Sequence, residues 1–168
     1  MMRLTGVILL LLSAGGFGMM RAMDLKQRPK SIRSMIDALL LLRADILSRG
    51  LYLPDALAHV DGMSSGCAKT FFGTVSFMLG KSAKPFDVIW EESLDSLGEL
   101  GREERDIIRR LGAHLGRLDA AAQGKAIDTS ILLLEAAERQ AKTYSQQYSR
   151  LYTGLGLTVG AMLAVVLY

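Results

Sequence analysis

The sequence predicts an all-α protein: a compact bundle of about five to six helices between two terminal transmembrane helices, the last helix long and continuous with the C-terminal anchor. Three observations predict it. Apolar residues recur at steps of three and four through the interior, and no stretch needs to be a strand. Leu151 to Tyr168 (LYTGLGLTVGAMLAVVLY) carries no charge and reaches the length of a membrane-helix candidate. A second uncharged run, Leu4 to Met20, stands at the other end. The expected organisation is a transmembrane helix at 1–20, a basic linker at 21–28, a cytoplasmic helical domain at 29–150 and a second transmembrane helix at 151–168.

The N-terminal run has two readings. Arg3, the apolar stretch Val7 to Leu12 and the small residues Ser13 to Gly16 have the parts of a secretory signal peptide. Against cleavage, Arg21, Lys26, Arg28, Lys30 and Arg33 follow the run, offset only by Asp24, while Arg3 stands alone before it. That bias sets residue 21 onward in the cytoplasm and the N-terminus outside, with the five basic residues as a membrane flank. Gly15, Gly16 and Gly18 weaken the helix but let a partner helix approach closely in a membrane.

A first helix starts at Pro29 to Ser31, where proline is tolerated in the opening turn. Ile32, Met35, Ile36, Leu39, Leu40, Ile46 and Leu47 give it one apolar stripe, ended by Gly50. Pro54-Asp55 restarts a short helix through Val60, and Asp61 to Gly66 reads as a loop on its glycine and serine content. A third helix covers Cys67 to Leu79, with Phe71, Phe72 and Val75 on one side and Gly80 as its stop. Pro85 opens a fourth, carrying Phe86, Ile89, Trp90, Leu94 and Leu97. Gly98 and Gly101 bracket a turn.

A fifth helix begins at Arg102 and shows Ile107, Ile108, Leu111, Leu115 and Leu118, with Asp106 spaced to pair with Arg102 and Arg110. Asp119 is the expected N-cap of the last helix, which has no capping-box partner. Ile127, Ile131, Leu134, Ala137 and Ala141 make its stripe, and Glu135–Arg139 and Glu138–Lys142 lace its solvent face. Tyr144, Tyr148 and Tyr152 stand where an aromatic belt is expected, beside the final apolar run.

Composition narrows the function. The chain has 168 residues, half of them apolar, and a net charge of only +3. Its basic residues gather beside the apolar ends, which suits lipid headgroups and not nucleic acid. The single cysteine, Cys67, excludes an internal disulfide framework and a cysteine-ligated metal cluster. His59, near Asp55, and His114 lack ligands at metal-site spacing and read as surface histidines. Trp90-Glu91-Glu92 reads as a core tryptophan beside solvated glutamates, since neighbouring helix residues diverge by about 100° and cannot face one another as an acid pair. Gly112 and Gly116 form a G-x-x-x-G pair inside the fifth helix. No phosphate-binding loop or nucleophile elbow occurs. No catalytic set, cofactor or metal is expected.

Trp90-Glu91-Glu92-Ser93-Leu94, then Leu111-Gly112, Leu115-Gly116 and Asp119, with Gln123, Ile127, Leu134-Glu135, Ala141 and Leu155-Gly156, resemble the stage III sporulation protein AB family. Leu4-Thr5-Gly6, Arg28-Pro29 and Leu53-Pro54 agree. Trp90, Glu92, Leu94, Leu111, Gly112, Leu115, Gly116, Asp119, Gln123 and Leu134 are the family-pattern core or contact residues.

The resemblance implies a protein of the outer forespore membrane, its domain in the mother-cell cytoplasm and both termini on the far side. That domain is similar to the helical domains of the inner-membrane platform proteins of type II secretion and type IV pilus systems. Implied partners are the complex's secretion-type ATPase (its AA protein), other membrane proteins of the channel and the bilayer, with no nucleic acid. One departure is Ala136 to Gln147, where the resemblance implies a strongly acidic helix and this chain is mild, so no ATPase-binding residue carries over. Two other function classes stay in view: a membrane-anchored helical adaptor without an ATPase, and a membrane enzyme acting on lipid or peptidoglycan.

Overall fold

The computed structural model describes residues 27–116 and 119–167, with side chains as far as Gln147. Among these are six α-helices, one short 3-10 turn and no strand. The helices are α1 (27–47), α2 (Leu53–Met63), α3 (Gly66–Lys81), α4 (Phe86–Ser93), α5 (Arg102–Gly112) and α6 (Ala120–Leu167), with the 3-10 turn at Leu94–Ser96. Arg28–Arg139 forms one compact unit. From Gln140 onward α6 lies outside that unit and continues helical to Leu167. No helix among the described residues is long and apolar enough to cross a membrane. The anchor expected at 1–20 lies outside the described residues, as do the side chains of the one expected at 151–168.

The unit is built on α1. Ile32, Met35, Ile36, Leu39, Leu42 and Ile46 are buried along it. Leu40 and Leu47, counted in the predicted stripe, are 45% and 40% exposed instead. Leu42 takes the buried place, because steps of three and four from Ile32 through Met35 and Leu39 lead to it. The helix already includes residue 27, ahead of the expected Pro29. It closes through Gly50, whose φ of 65° only glycine adopts without strain.

Side chains of α1 hold the next two helices in place. The Ser34 hydroxyl donates to the Ser65 carbonyl at 2.5 Å and accepts from the Ala68 N–H at 3.3 Å, so it caps the start of α3 from another helix. The Cys67 thiol donates to the Ser31 carbonyl at 3.1 Å. Asp45 is fully buried and accepts from Arg49 at 3.1 Å, with His59 Nδ1 at 2.7 Å. His59 is thus a half-buried partner of Asp45, not the free surface histidine near Asp55 that the sequence suggests.

Several boundaries shift. α2 runs on to Met63, so the loop expected at Asp61 to Gly66 shrinks to Ser64 and Ser65. Lys69 stabilises this end by donating to the Asp61 carbonyl at 2.7 Å and its carboxylate at 2.8 Å. Gly80 does not stop α3, which ends at Lys81 with the ammonium 4.2 Å from the Phe77 ring centre. α4 stops at Ser93, and Leu94 sits in the 3-10 turn, still buried with Leu97.

α5 ends at Gly112, six residues short of the expected Leu118, in a turn where Gly116 has φ 77°. The G-x-x-x-G pair therefore spans a helix end and the turn after it, not one helix face. Asp106 pairs with Arg109, not with Arg102 or Arg110, because Arg109 is also drawn to Glu91 at 2.8 Å. On α6, Arg139 lies 3.9 Å from Glu135, but Glu138 is buried and does not belong to a solvent face.

Candidate interaction surface

The residues singled out by the family pattern divide into a packing centre and a helix start. Trp90 is 1% exposed and lies edge-on to Phe71, with centroids 4.9 Å apart and planes at 90°. Its indole N–H donates to the Ile108 carbonyl at 2.9 Å. This contact requires Gly112: a Cβ built there meets Trp90 Cδ1 at 2.1 Å. Leu94, Leu111, Leu115 and Leu134 are buried around the same core. Gly116 gives its turn a left-handed residue, and a Cβ there would touch Leu53 at 3.3 Å.

Glu92 is exposed and takes Lys84 at 2.6 Å. Asp119 Oδ1 accepts from the Ala122 N–H at 2.7 Å, fixing the first turn of α6. Gln123 is half-buried in the next turn. On the basic flank, Arg28 pairs at 2.7 Å with Glu104, whose side chain is 1% exposed, and so is bound into the bundle. Arg33 pairs with Asp37 at 3.0 Å, Lys30 is exposed, and Arg21 and Lys26 lie outside the described residues.

Burial pushes the Cys67 thiol above its usual range; the Ser34 and Ser31 hydrogen bonds pull it back in part, while the charge on Glu99 adds to the rise. A thiol held neutral this way is a poor nucleophile and a poor ligand. No group of three or more His, Cys, Asp or Glu residues among those described is arranged to hold a metal.

What the arrangement offers is surface. The facing sides of α5 and α6 leave a trough of about 430 Å³. Ile107, Arg110 and Leu111 line its α5 side, with His114 from the turn after that helix. Ala122, Ala126, Ser130 and Leu133 line the α6 side, with Lys125 and Thr129. The sequence reading missed this trough. A signal for it exists in the unbroken apolar run Ile131 to Leu134, wider than one helix face can bury. Ile131 and Leu134 are buried, while Leu132 and Leu133 are 65% and 45% exposed.

Comparison with known proteins agrees on one family. The model of the family described as stage III sporulation protein AB matches residues 3–168. The stage III sporulation protein AB of Bacillus subtilis (strain 168) is 26% identical over 170 residues, covering 99% of this chain and 99% of that protein. A solved structure of stage III sporulation protein AB (SpoIIIAB) superimposes with a TM-score of 0.64 at 28% identity, covering 71% of this chain and 97% of that one. With a match that takes in nearly every residue, the chain belongs to the stage III sporulation protein AB family.

Proposed function

We propose that this protein is a non-enzymatic membrane platform of the channel complex joining mother cell to forespore, where it docks the complex's secretion-type ATPase and helps the channel assemble. The observation that carries the reading is the extent of the family match, residues 3–168, which includes both uncharged end runs as well as the bundle between them. On this reading Leu4–Met20 and Leu151–Tyr168 anchor the chain in the outer forespore membrane. The unit Arg28–Arg139 then stands in the mother-cell cytoplasm, where a soluble motor can reach it. The chemistry of the described residues is compatible with a scaffold: the carboxylates of Glu91 and Glu92 are each taken by a cation, and Asp45 and Glu104 are buried in ion pairs.

The test is a pull-down from sporulating cells of the full-length protein tagged in the exposed loop between α3 and α4, near Ala83. Recovery of the ATPase, lost when the bundle is replaced by an unrelated helical domain, is the expected result. Recovery of membrane proteins alone, under detergent mild enough to keep known complexes together, overturns ATPase docking and leaves a membrane-anchored adaptor.

A further inference from the structure

The trough between α5 and α6 has a shape, a floor and a charge that together specify an occupant. From Ala122 to Leu133 its α6 wall advances eleven residues, about 16 Å of helix. The opening is therefore elongated along the helices and not a compact pocket. Ala122, Ala126 and Ser130 succeed one another at steps of four, and side chains this small let a third helix approach to the ordinary interaxial distance of about 8–10 Å. Leu133, 45% exposed, supplies most of the apolar contact such a helix needs, over a floor formed by the buried Ile107 and Leu111.

The charge is one-sided. Arg110 and Lys125 line the trough beside the imidazole of His114, and no carboxylate does. Some cations elsewhere on the bundle are matched, Arg28 to Glu104, Arg43 to Asp128 at 2.5 Å and Arg109 to Glu91, while Lys30, Arg102 and Arg105 are not matched among the described residues. Arg110, the very next residue to Arg109, has no carboxylate partner among the described residues, and neither has Lys125.

We infer that this trough seats an acidic amphipathic helix from a partner protein, its apolar stripe against Ile107, Leu111 and Leu133 and its carboxylates beside Arg110 and Lys125. A small anion or a lipid headgroup would meet the charges but leave Leu133, 45% exposed, in water. A neutral helix would cover the floor but bury Arg110 and Lys125 against nothing. The inference stands apart from the ATPase reading, since any protein with such a helix satisfies it.

The test uses the full-length chain in sporulating cells with the photo-crosslinker p-benzoylphenylalanine in place of Thr129, which lines the trough, and a control with it in place of exposed Glu103. The expected adduct at 129 is a single peptide segment of another protein, with apolar residues at helical spacing and at least two acids among them. Reversing both charges, Arg110→Glu with Lys125→Glu, lowers its yield about tenfold. The melting temperature of the purified variant reports whether it folds. Should it not fold, Leu133→Asp, at a half-exposed position, takes its place and lowers the yield likewise. Adducts to lipid alone, a segment without acids, no adduct above the Glu103 control, or a yield indifferent to the folded variant's substitution would each overturn the inference.

Discussion

A methyl group at Gly112 and one at Gly124 meet very different neighbours. At Gly112 the added Cβ runs into the Trp90 ring at 2.1 Å, and that ring is fixed by its hydrogen bond to Ile108 and by Phe71. At Gly124 it meets the tip of Leu47 at 2.6 Å, a side chain 40% exposed that can swing toward water. Gly112→Ala is therefore expected to cost about 1–3 kcal/mol through overpacking. Gly124→Ala gains up to about 1 kcal/mol of helix propensity, offset by displacing Leu47, and should leave stability within about 0.5 kcal/mol of the parent. Urea unfolding of the two variants side by side checks the contrast. Cys67 gives a pH prediction at the same scale. Its thiol is held above the ordinary range in the folded state, so its contribution is fully present below the unfolded value and lost as pH climbs through the folded one. Between about pH 8 and about pH 10 the parent should lose stability more steeply than Cys67→Ala. Parallel slopes in denaturant titrations across that window would refute the assignment.

At the scale of elements, the bundle depends on helix ends being satisfied from a distance. α3 has no capping side chain of its own, and Ser34 of α1 supplies the missing partner. α6 is capped locally: Asp119 meets the N–H three residues on, as its position before a long apolar-periodic stretch predicts. Asp119→Ala should cost about 1 kcal/mol, with Asp119→Asn retaining most of it, since an amide oxygen accepts the same bond. Denaturation midpoints of both variants report the difference. The early end of α5 has an equally local cause, because Gly112 and Gly116 put one residue under an indole and the other in a left-handed turn.

For the molecule as a whole, the division at Arg28–Arg139 makes a claim about autonomy. Buried side chains from all six helices meet inside this unit, so a fragment spanning Gln27 to Gln147 should fold alone, with a strongly helical circular dichroism spectrum and one cooperative thermal transition. A helical spectrum that melts gradually would mean that the bundle needs the terminal segments. On the platform reading the full-length chain differs from the fragment in one respect: it stays with the membrane fraction through an alkaline wash that strips peripheral proteins.

Periodicity by itself determined that the protein is helical, which side of each helix is apolar, and that Trp90, Leu111 and Leu134 belong inside. It did so because a 3.6-residue repeat records which face meets the core, whatever the core contains. The family was also legible, from short patterns taken together, and the match over residues 3–168 bears out the family. Sequence could not decide contacts between residues far apart in the chain: Arg28 with Glu104, His59 with Asp45, Ser34 at the start of α3. Each depends on which helices become neighbours, and charge spacing along one helix misleads when a partner on another lies nearer, as Glu91 does for Arg109. The trough belongs to the same class. Neither α5 nor α6 contains it, since a concave, basic surface arises only where two helices pack side by side and no third one covers them.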